Sequence, residues 1–302
     1  PVLNGEIKGI FASRNPNRPS GIGITTVRLI EIMGNKIHVK GLDALNGSPV
    51  LDIKPYNAFF TADELDVIRY NNLKANPRKE IITYIGEGEL EKLLILAAQL
   101  HGHYCPGLAL GVMAGTYGFN TINAESDGLE DLLVIVETNN CFSDGIQFVT
   151  GCSFGNNSLI FRDLGKMACS LVDRSGSGLR MIMRPGARDY MRSIYPEFTE
   201  SYEKVIRNRD HRTESAEEFK ALGMKKAFAT LDLEFDRLFE AEPLKNTVIP
   251  EYAPVHESTI CSVCGESTMV TRSVMKEDKP FCLTCGKERI LQLTGWGIST
   301  FE

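Results

Sequence analysis

Two short polar stretches in the middle of the chain carry most of its ligand-type side chains. They are His101-Gly-His-Tyr-Cys-Pro-Gly107 and Thr138-Asn-Asn-Cys-Phe-Ser-Asp144, the second running on to Gly151-Cys152. Soft thiolates combined with imidazole select zinc, or iron or copper in other settings. Fewer than four protein ligands would leave a position for water or substrate, as in a catalytic centre. A lone His101 on an apolar helix face reads as an ordinary core histidine, but His103 and Cys105 change that reading. Pro106 suits the first position of a helix. Cys105 then sits at the helix N-terminus, where unpaired N–H groups and the macrodipole stabilise a thiolate. The candidate ligands are His101, His103, Cys105, Cys141 and Cys152, with at least one of the last two expected at the site. Cys105 is the candidate nucleophile or principal ligand, His103 its catalytic partner, and Asp144 the orienting group or general base. Asp163 and Lys166 are weaker polar candidates.

A second cluster lies near the C-terminus. Cys261-Ser-Val-Cys264 and Cys282-Leu-Thr-Cys285 are separated by seventeen residues. This spacing is a structural zinc signature, in which each pair aims two sulfurs at one ion. Helix is expected over Lys287–Leu293 after the second pair.

The elements that must position these groups follow from pattern. Leu90, Leu93, Leu94, Ala97 and His101 fall on one face of an amphipathic helix over Glu89–Leu100. The next helix carries Gly107, Gly111 and Gly115 at i, i+4 spacing. Each Gly costs about 1 kcal/mol relative to Ala in a helix, so another backbone is expected to pack against that ridge. Leu132–Val136 reads as a buried central strand that feeds the second polar stretch, and Ser143 or Asp144 is placed to cap a short helix beyond it. Strands are expected at Met167–Arg174 and Leu179–Arg184 around a Ser175–Gly178 turn, with Arg180 and Arg184 on a solvated face. Residues 196–241 read as helical. Ser215-Ala-Glu-Glu218 forms a capping box there, and an apolar stripe runs from Phe219 to Leu238. Glu242–Glu257 reads as an extended linker. Near the N-terminus, residues 5–56 are strand-like, with a hairpin turn at Gly34-Asn35 and an irregular Ser13–Gly21 loop.

The 302 residues are 43% hydrophobic and 24% charged, with net charge -6 and pI near 5.6. That balance argues against general nucleic-acid binding. No apolar run is long enough to span a membrane, and no signal peptide is visible. The opening at Pro1 is read as the start of a fragment. The eight cysteines, four of them in CxxC pairs, point to metal or thiol chemistry in a reducing cytoplasm.

Two family resemblances follow from these motifs. Phe11-Ala-Ser-Arg-Asn-Pro-Asn-Arg-Pro19, Gly41-Leu-Asp-Ala-Leu45 and Pro49-Val-Leu-Asp-Ile-Lys-Pro55 resemble the second half of the TsaA/TrmO family. Those β-barrel proteins use S-adenosylmethionine to methylate an adenosine in tRNA. The resemblance implies that Arg14, Arg18, Asp43, Asp52 and Lys54 line the cofactor and RNA side. The sequence departs at Ser20-Gly-Ile-Gly23, where the family carries Asn-Pro-Ile-Gly, and it lacks the first half of the barrel.

The stretches His101–Leu108, Glu137–Gln147 and Thr150–Asn156 resemble the E-subunit family of formylmethanofuran dehydrogenase. That resemblance implies an α+β fold, a thioredoxin-like mixed sheet flanked by helices, with a metal site. It also implies a C-terminal treble-clef zinc finger, homodimers, and dehydrogenase subunits as partners. The expected organisation is a partial β-barrel segment (1–62), a connector (63–88), an α+β core (89–242), a linker (243–257) and a zinc finger (258–302). Three functions stand open. The first is a metal-dependent enzyme, or part of one, in anaerobic one-carbon or molybdopterin-linked metabolism. The second is a non-catalytic adaptor or metal carrier. The third is a fusion to a tRNA methyltransferase, incomplete here.

Overall fold

The computed structural model describes residues 2–3, 6–7, 23, 25–53, 62–124, 130–210 and 212–301. The chain divides into two units, Pro1–Asn71 and Asn72–Glu302.

The first unit contains two separate antiparallel pairs among its described residues. They are β1 (Val2–Leu3) with β2 (Glu6–Ile7), and β3 (Arg28–Met33) with β4 (Lys36–Lys40). The expected turn joins β3 to β4, and Gly34 takes a φ of 59° there, which a side chain would resist. The strand expected from Ile22 is shorter, beginning at Arg28. The loop over Ser13–Gly21, with Arg14 and Arg18, lies outside the described residues, as does Lys54. Asp43 and Asp52 are exposed on irregular chain, and the Asp43 carbonyl accepts the Thr25 hydroxyl at 3.2 Å. Helix α1 (Ala62–Ala75) follows.

The second unit is built on a five-stranded mixed sheet. Its helices α2 (Lys79–Glu87), α3 (Leu90–His101) and α4 (Pro106–Thr121) precede β5 (Leu132–Val136). Next come α5 (Cys141–Thr150), β6 (Leu159–Phe161), β7 (Ala168–Asp173) and β8 (Gly178–Met183). Helices α6 (Ala187–Ile194), α7 (Pro196–Tyr202), α8 (Thr213–Leu231) and α9 (Phe235–Leu238) lead into β9 (Phe239–Leu244). The strand order is β6-β5-β7-β8-β9. Only the β5–β6 pair is parallel; the other neighbours are antiparallel.

All five residues of β5 are buried, as its continuous apolar run requires. Leu132, Val134 and Val136 join Leu171 and Met181 against Leu94, Leu108, Val112 and Ile146 from the helical layer. Leu133, Ile135 and Val172 face the other way, against Ile160, Leu244 and Ile249. The segment expected as a free linker therefore straps that second face. Arg174 fastens it, donating to the Pro250 carbonyl at 3.0 Å and lying 3.8 Å from the centre of the Tyr252 ring.

Three expectations change here. The helical reading over 196–241 ends too late, because Phe239-Glu-Ala-Glu-Pro-Leu244 alternates and forms the fifth strand against β8. Ser215 does not cap its helix, since α8 starts at Thr213 and the Ser215 hydroxyl donates to Asp210 at 3.0 Å. Arg180 is not on a solvated face. It makes a two-bond fork with the buried carboxylate of Glu137, at 2.8 and 2.9 Å.

The tail forms three antiparallel pairs: β10 (Ser258–Ile260) with β11 (Ser267–Met269), β12 (Ser273–Lys276) with β13 (Lys279–Cys282), and β14 (Ile290–Thr294) with β15 (Gly297–Phe301). The helix expected at Lys287–Leu293 is absent. Ile290-Leu-Gln-Leu-Thr294 alternates apolar and polar residues, and the turn at Gly295-Trp-Gly297 folds it back as a hairpin. Among the described residues no helix is long and apolar enough to cross a membrane.

Candidate metal centre

Two helix N-termini converge to make the central site. Cys105 is the N-cap of α4, in extended conformation (φ −151°, ψ 158°), with Pro106 at the first helical position and the Leu108 N–H donating to its sulfur at 3.4 Å. Cys141 opens α5. That helix is capped by Asn140, whose side-chain oxygen accepts the Phe142 N–H at 3.0 Å, so Asn140 fills the role expected of Ser143 or Asp144.

Glycine permits the convergence. A Cβ on Gly111 would lie 2.1 Å from the Phe142 carbonyl oxygen, and one on Gly145 would lie 2.6 Å from the Leu108 carbonyl oxygen. At Gly107 it would meet the Cys141 Cβ at 3.0 Å. The backbones of α4 and α5 therefore touch, and the two sulfurs face each other because no side chain separates them. The expected backbone packing against the glycine ridge is thus supplied by α5.

The chain leaves α3 through Gly102, at a φ of 89°, and this turn places His103 beside His101 with ring centres 4.4 Å apart. One ligand atom from each of His101, His103, Cys105 and Cys141 lies within 4.8 Å of all the others. His101 Nδ1 is 2.7 Å from Asp144 Oδ2, while its Nε2 is 3.6 Å from the Cys105 sulfur. A proton on Nδ1, held by the carboxylate, leaves the Nε2 lone pair facing the cysteines. That is how a carboxylate fixes a ligating imidazole. His101, Cys105 and Cys141 are buried or half-buried, whereas His103 is exposed. The two sulfurs share a proton. Hydrogen bonding to Cys141 and burial push the Cys105 thiol up. The same bond, aided by His101 against the effect of burial, brings Cys141 down to about 6. Partial desolvation, with His101 alongside, holds His103 below the usual imidazole range. Two soft sulfurs and two imidazoles around one point suit a transition metal of the zinc type.

Cys152 is not brought to this cluster. Gly151 (φ 75°) ends α5 and turns the chain away, and the buried Cys152 thiol donates to the Leu132 carbonyl at 3.4 Å, at the far end of β5. Burial pushes that thiol up to about 11. Asp163 and Lys166 also stand outside the cluster; the Asp163 carboxylate instead accepts the Ile298 N–H from the tail at 2.8 Å.

The four tail cysteines form a second quartet within the same 4.8 Å limit. Backbone N–H groups of residues 264, 282 and 263 bring Cys261 down to about 6. Hydrogen bonding to Cys282, with some burial, pushes Cys285 up to about 12. Gly265, at a φ of 75°, closes the first turn.

The family described as FmdE, Molybdenum formylmethanofuran dehydrogenase operon, matches residues 100–240, and the tRNA-methyltransferase O N-terminal domain matches residues 1–62. An Archaeoglobus fulgidus protein named "Probable S-adenosyl-L-methionine-binding protein" is 37% identical over 304 residues, covering 97% of this chain and 76% of its own length. The chain belongs to the FmdE family. Its FmdE match holds the whole central cluster and stops before the strap and tail. The human tRNA (adenine(37)-N6)-methyltransferase is 44% identical over 64 residues, 21% of this chain and 14% of that protein's length. A solved FmdE-like protein of a tungsten formylmethanofuran dehydrogenase, from Syntrophus aciditrophicus, has 22% identity and a TM-score of 0.41, covering 65% of this chain and 91% of its own.

Proposed function

We propose that the FmdE domain is a metal-dependent enzyme, or one component of such an enzyme, in one-carbon or molybdopterin-linked metabolism, with a transition metal in the central cluster and zinc in the tail quartet. The observation that carries this reading is the asymmetry of the four central ligands. His101, Cys105 and Cys141 are buried or half-buried on helix ends, and Asp144 orients His101. His103 is exposed on the loop between α3 and α4. Three fixed ligands and one exchangeable one make a centre that can open to substrate or water. A metal there would supply Lewis acidity or a nucleophilic hydroxide. The chain's own part is to hold both thiolates at helix N-termini, fix the His101 tautomer through Asp144, and offer His103 as the group that yields.

The test is metal content per chain, by mass spectrometry, for the wild type and for a Cys105→Ala/Cys141→Ala variant. The expected result is near two metals falling to one, with His103→Ala keeping both. Near one metal in wild type and double variant alike would overturn the central metal site. A His103→Ala variant that lost its central metal would instead favour a closed four-ligand centre, the adaptor or carrier reading.

A second reading concerns the first unit. The Archaeoglobus relative, named for S-adenosylmethionine binding, covers nearly the whole chain, and residues 1–62 match the methyltransferase family. We infer that this segment contributes to an S-adenosylmethionine site, with Asp43 and Asp52 on its side of the pocket. Titration calorimetry with S-adenosylmethionine tests this, and absence of binding by this chain would count against it.

A further inference from the structure

The C-terminal hairpin is fastened to the two loops that leave the parallel strands β5 and β6. Asn139 Nδ2 donates to the Thr294 carbonyl at 2.6 Å, and the Ile298 N–H donates to Asp163 Oδ2 at 2.8 Å. Thr294 and Gly297 face each other across the turn, so both fastenings sit at the hairpin tip. The approach is close enough to require glycine. A Cβ on Gly297, already at a φ of 88°, would fall 2.3 Å from the Asp163 carboxylate. The loops held in this way matter to the central cluster. Asn139 is two residues before Cys141 and adjoins the cap of α5. The 162–166 loop is tied to the same strand end, since the Arg162 N–H donates to the Val136 carbonyl and the Lys166 N–H to the Glu137 carbonyl.

The other end of the hairpin is rooted in the tail quartet. β14 begins five residues after Cys285, and the intervening turn is held by the Gly286 N–H on the Cys282 carbonyl and by the Lys276–Glu288 ion pair at 3.2 Å. A two-stranded hairpin is marginal alone in water. Leu291, Leu293 and Ile298 are exposed on this one, so little apolar burial holds it. Its order depends on the quartet at its base and on Asn139 and Asp163 at its tip.

We propose that the tail is a latch on the central cluster: metal in the cysteine quartet orders the hairpin, and the hairpin fixes the loops that set Cys141 at the head of α5. This rests on the metal reading above only for its effect on central metal affinity; the ordering of the loops stands apart from it. The sole tryptophan, Trp296, lies at the hairpin tip and is 97% exposed, so its fluorescence reports this turn alone.

The experiment compares the full chain as wild type, as Cys282→Ser/Cys285→Ser, and as Asn139→Ala/Asp163→Ala. Hydrogen exchange is followed in peptides spanning 137–145 and 162–167, with Trp296 fluorescence anisotropy alongside. Both variants are expected to exchange faster in those peptides, with β7 and β8 unchanged and lower anisotropy at Trp296. Central metal affinity is expected to fall about 10-fold, the scale of losing a group that orients a ligand. Exchange at 137–145 unchanged in both variants would overturn the latch. A wild type holding only one metal would remove the affinity effect and the metal reading, while the exchange data still decided the latch.

Discussion

Gly111→Ala tests the idea that the cysteines meet because two helix backbones touch. On helix propensity alone the change should stabilise α4 by about 1 kcal/mol. Against this, the new methyl would sit 2.1 Å from the Phe142 carbonyl oxygen, 2.9 Å from the Gly145 Cα and 3.0 Å from the Phe142 carbonyl carbon. All three are backbone atoms and cannot rotate away. The helices must part by about 1 Å to restore ordinary contact distances. Overpacking of this kind costs about 1–3 kcal/mol, and rigid neighbours put it at the upper end. The net expectation is a loss of about 1–2 kcal/mol. Parting α4 from α5 also separates Cys105 from Cys141, so central metal affinity falls with stability. Gly86→Ala in α2 is the matched control: nothing lies within 4 Å of its Cβ position, and it should stabilise by up to about 1 kcal/mol. Urea unfolding of the three proteins, with metal titration of each, decides the matter. A Gly111→Ala protein as stable as Gly86→Ala would refute the backbone-contact argument.

Two further predictions concern buried charge. Arg180→Met should cost about 3 kcal/mol, because Glu137 is left as an unpaired buried carboxylate, whereas Arg180→Met/Glu137→Leu should recover most of that loss; urea midpoints of single and double variants measure it. Lys226, 5% exposed on α8 and lying over the Phe198 ring at 4.7 Å, is held below its ordinary value by burial, with Arg192 adding repulsion. The unfolded chain therefore binds this proton more readily than the folded one, and stability from this group rises with pH toward the unfolded value of 10.5. Lys226→Met should be more stable than wild type at pH 7, with the gap narrowing as pH approaches that value; a gap independent of pH would contradict this.

The fold is most legible in the sequence where a local pattern decides the outcome. The amphipathic period of α3, the Cys-Pro start of α4 and the apolar run of β5 each declare an element within a dozen residues. The glycine ridge declares that a backbone will approach, though not which one. What stays hidden depends on partners distant in the chain. Phe239–Leu244 has a strand's alternation, but it follows a helical stretch directly, and only its pairing with β8 makes it a strand. Arg180 alternates with apolar neighbours like any solvated residue. Its burial comes from Glu137, 43 positions away, which carries no local sign of being an ion-pair partner. The strap over β5 and β7 reads as a linker because its three prolines suit both a free and a fastened extended chain.

The central site divides along the same line. Pro106 marks Cys105 as the residue that opens a helix, and the structure makes it the cap of α4. Cys141 is less plain in sequence, because Ser143 and Asp144 are equally good caps, and the structure gives that role to Asn140 instead. Cys152 shares their polar, glycine-marked surroundings and yet lies elsewhere. The difference is direction. Gly107, Gly111 and Gly145 let α4 and α5 close on each other at the ends where Cys105 and Cys141 sit, while α5 carries the chain through ten residues before Gly151 turns it. A helix of that length advances about 15 Å, so a residue beyond its C-terminus cannot reach ligands gathered at its N-terminus. Spacing of eleven positions is thus incompatible with a shared site once the intervening residues are helical. The four-position spacing of His101 and Cys105 is compatible, because Gly102 breaks the helix at once and folds the loop back. The discriminating signal is the helical character of residues 141–150, which the cysteine count alone does not contain.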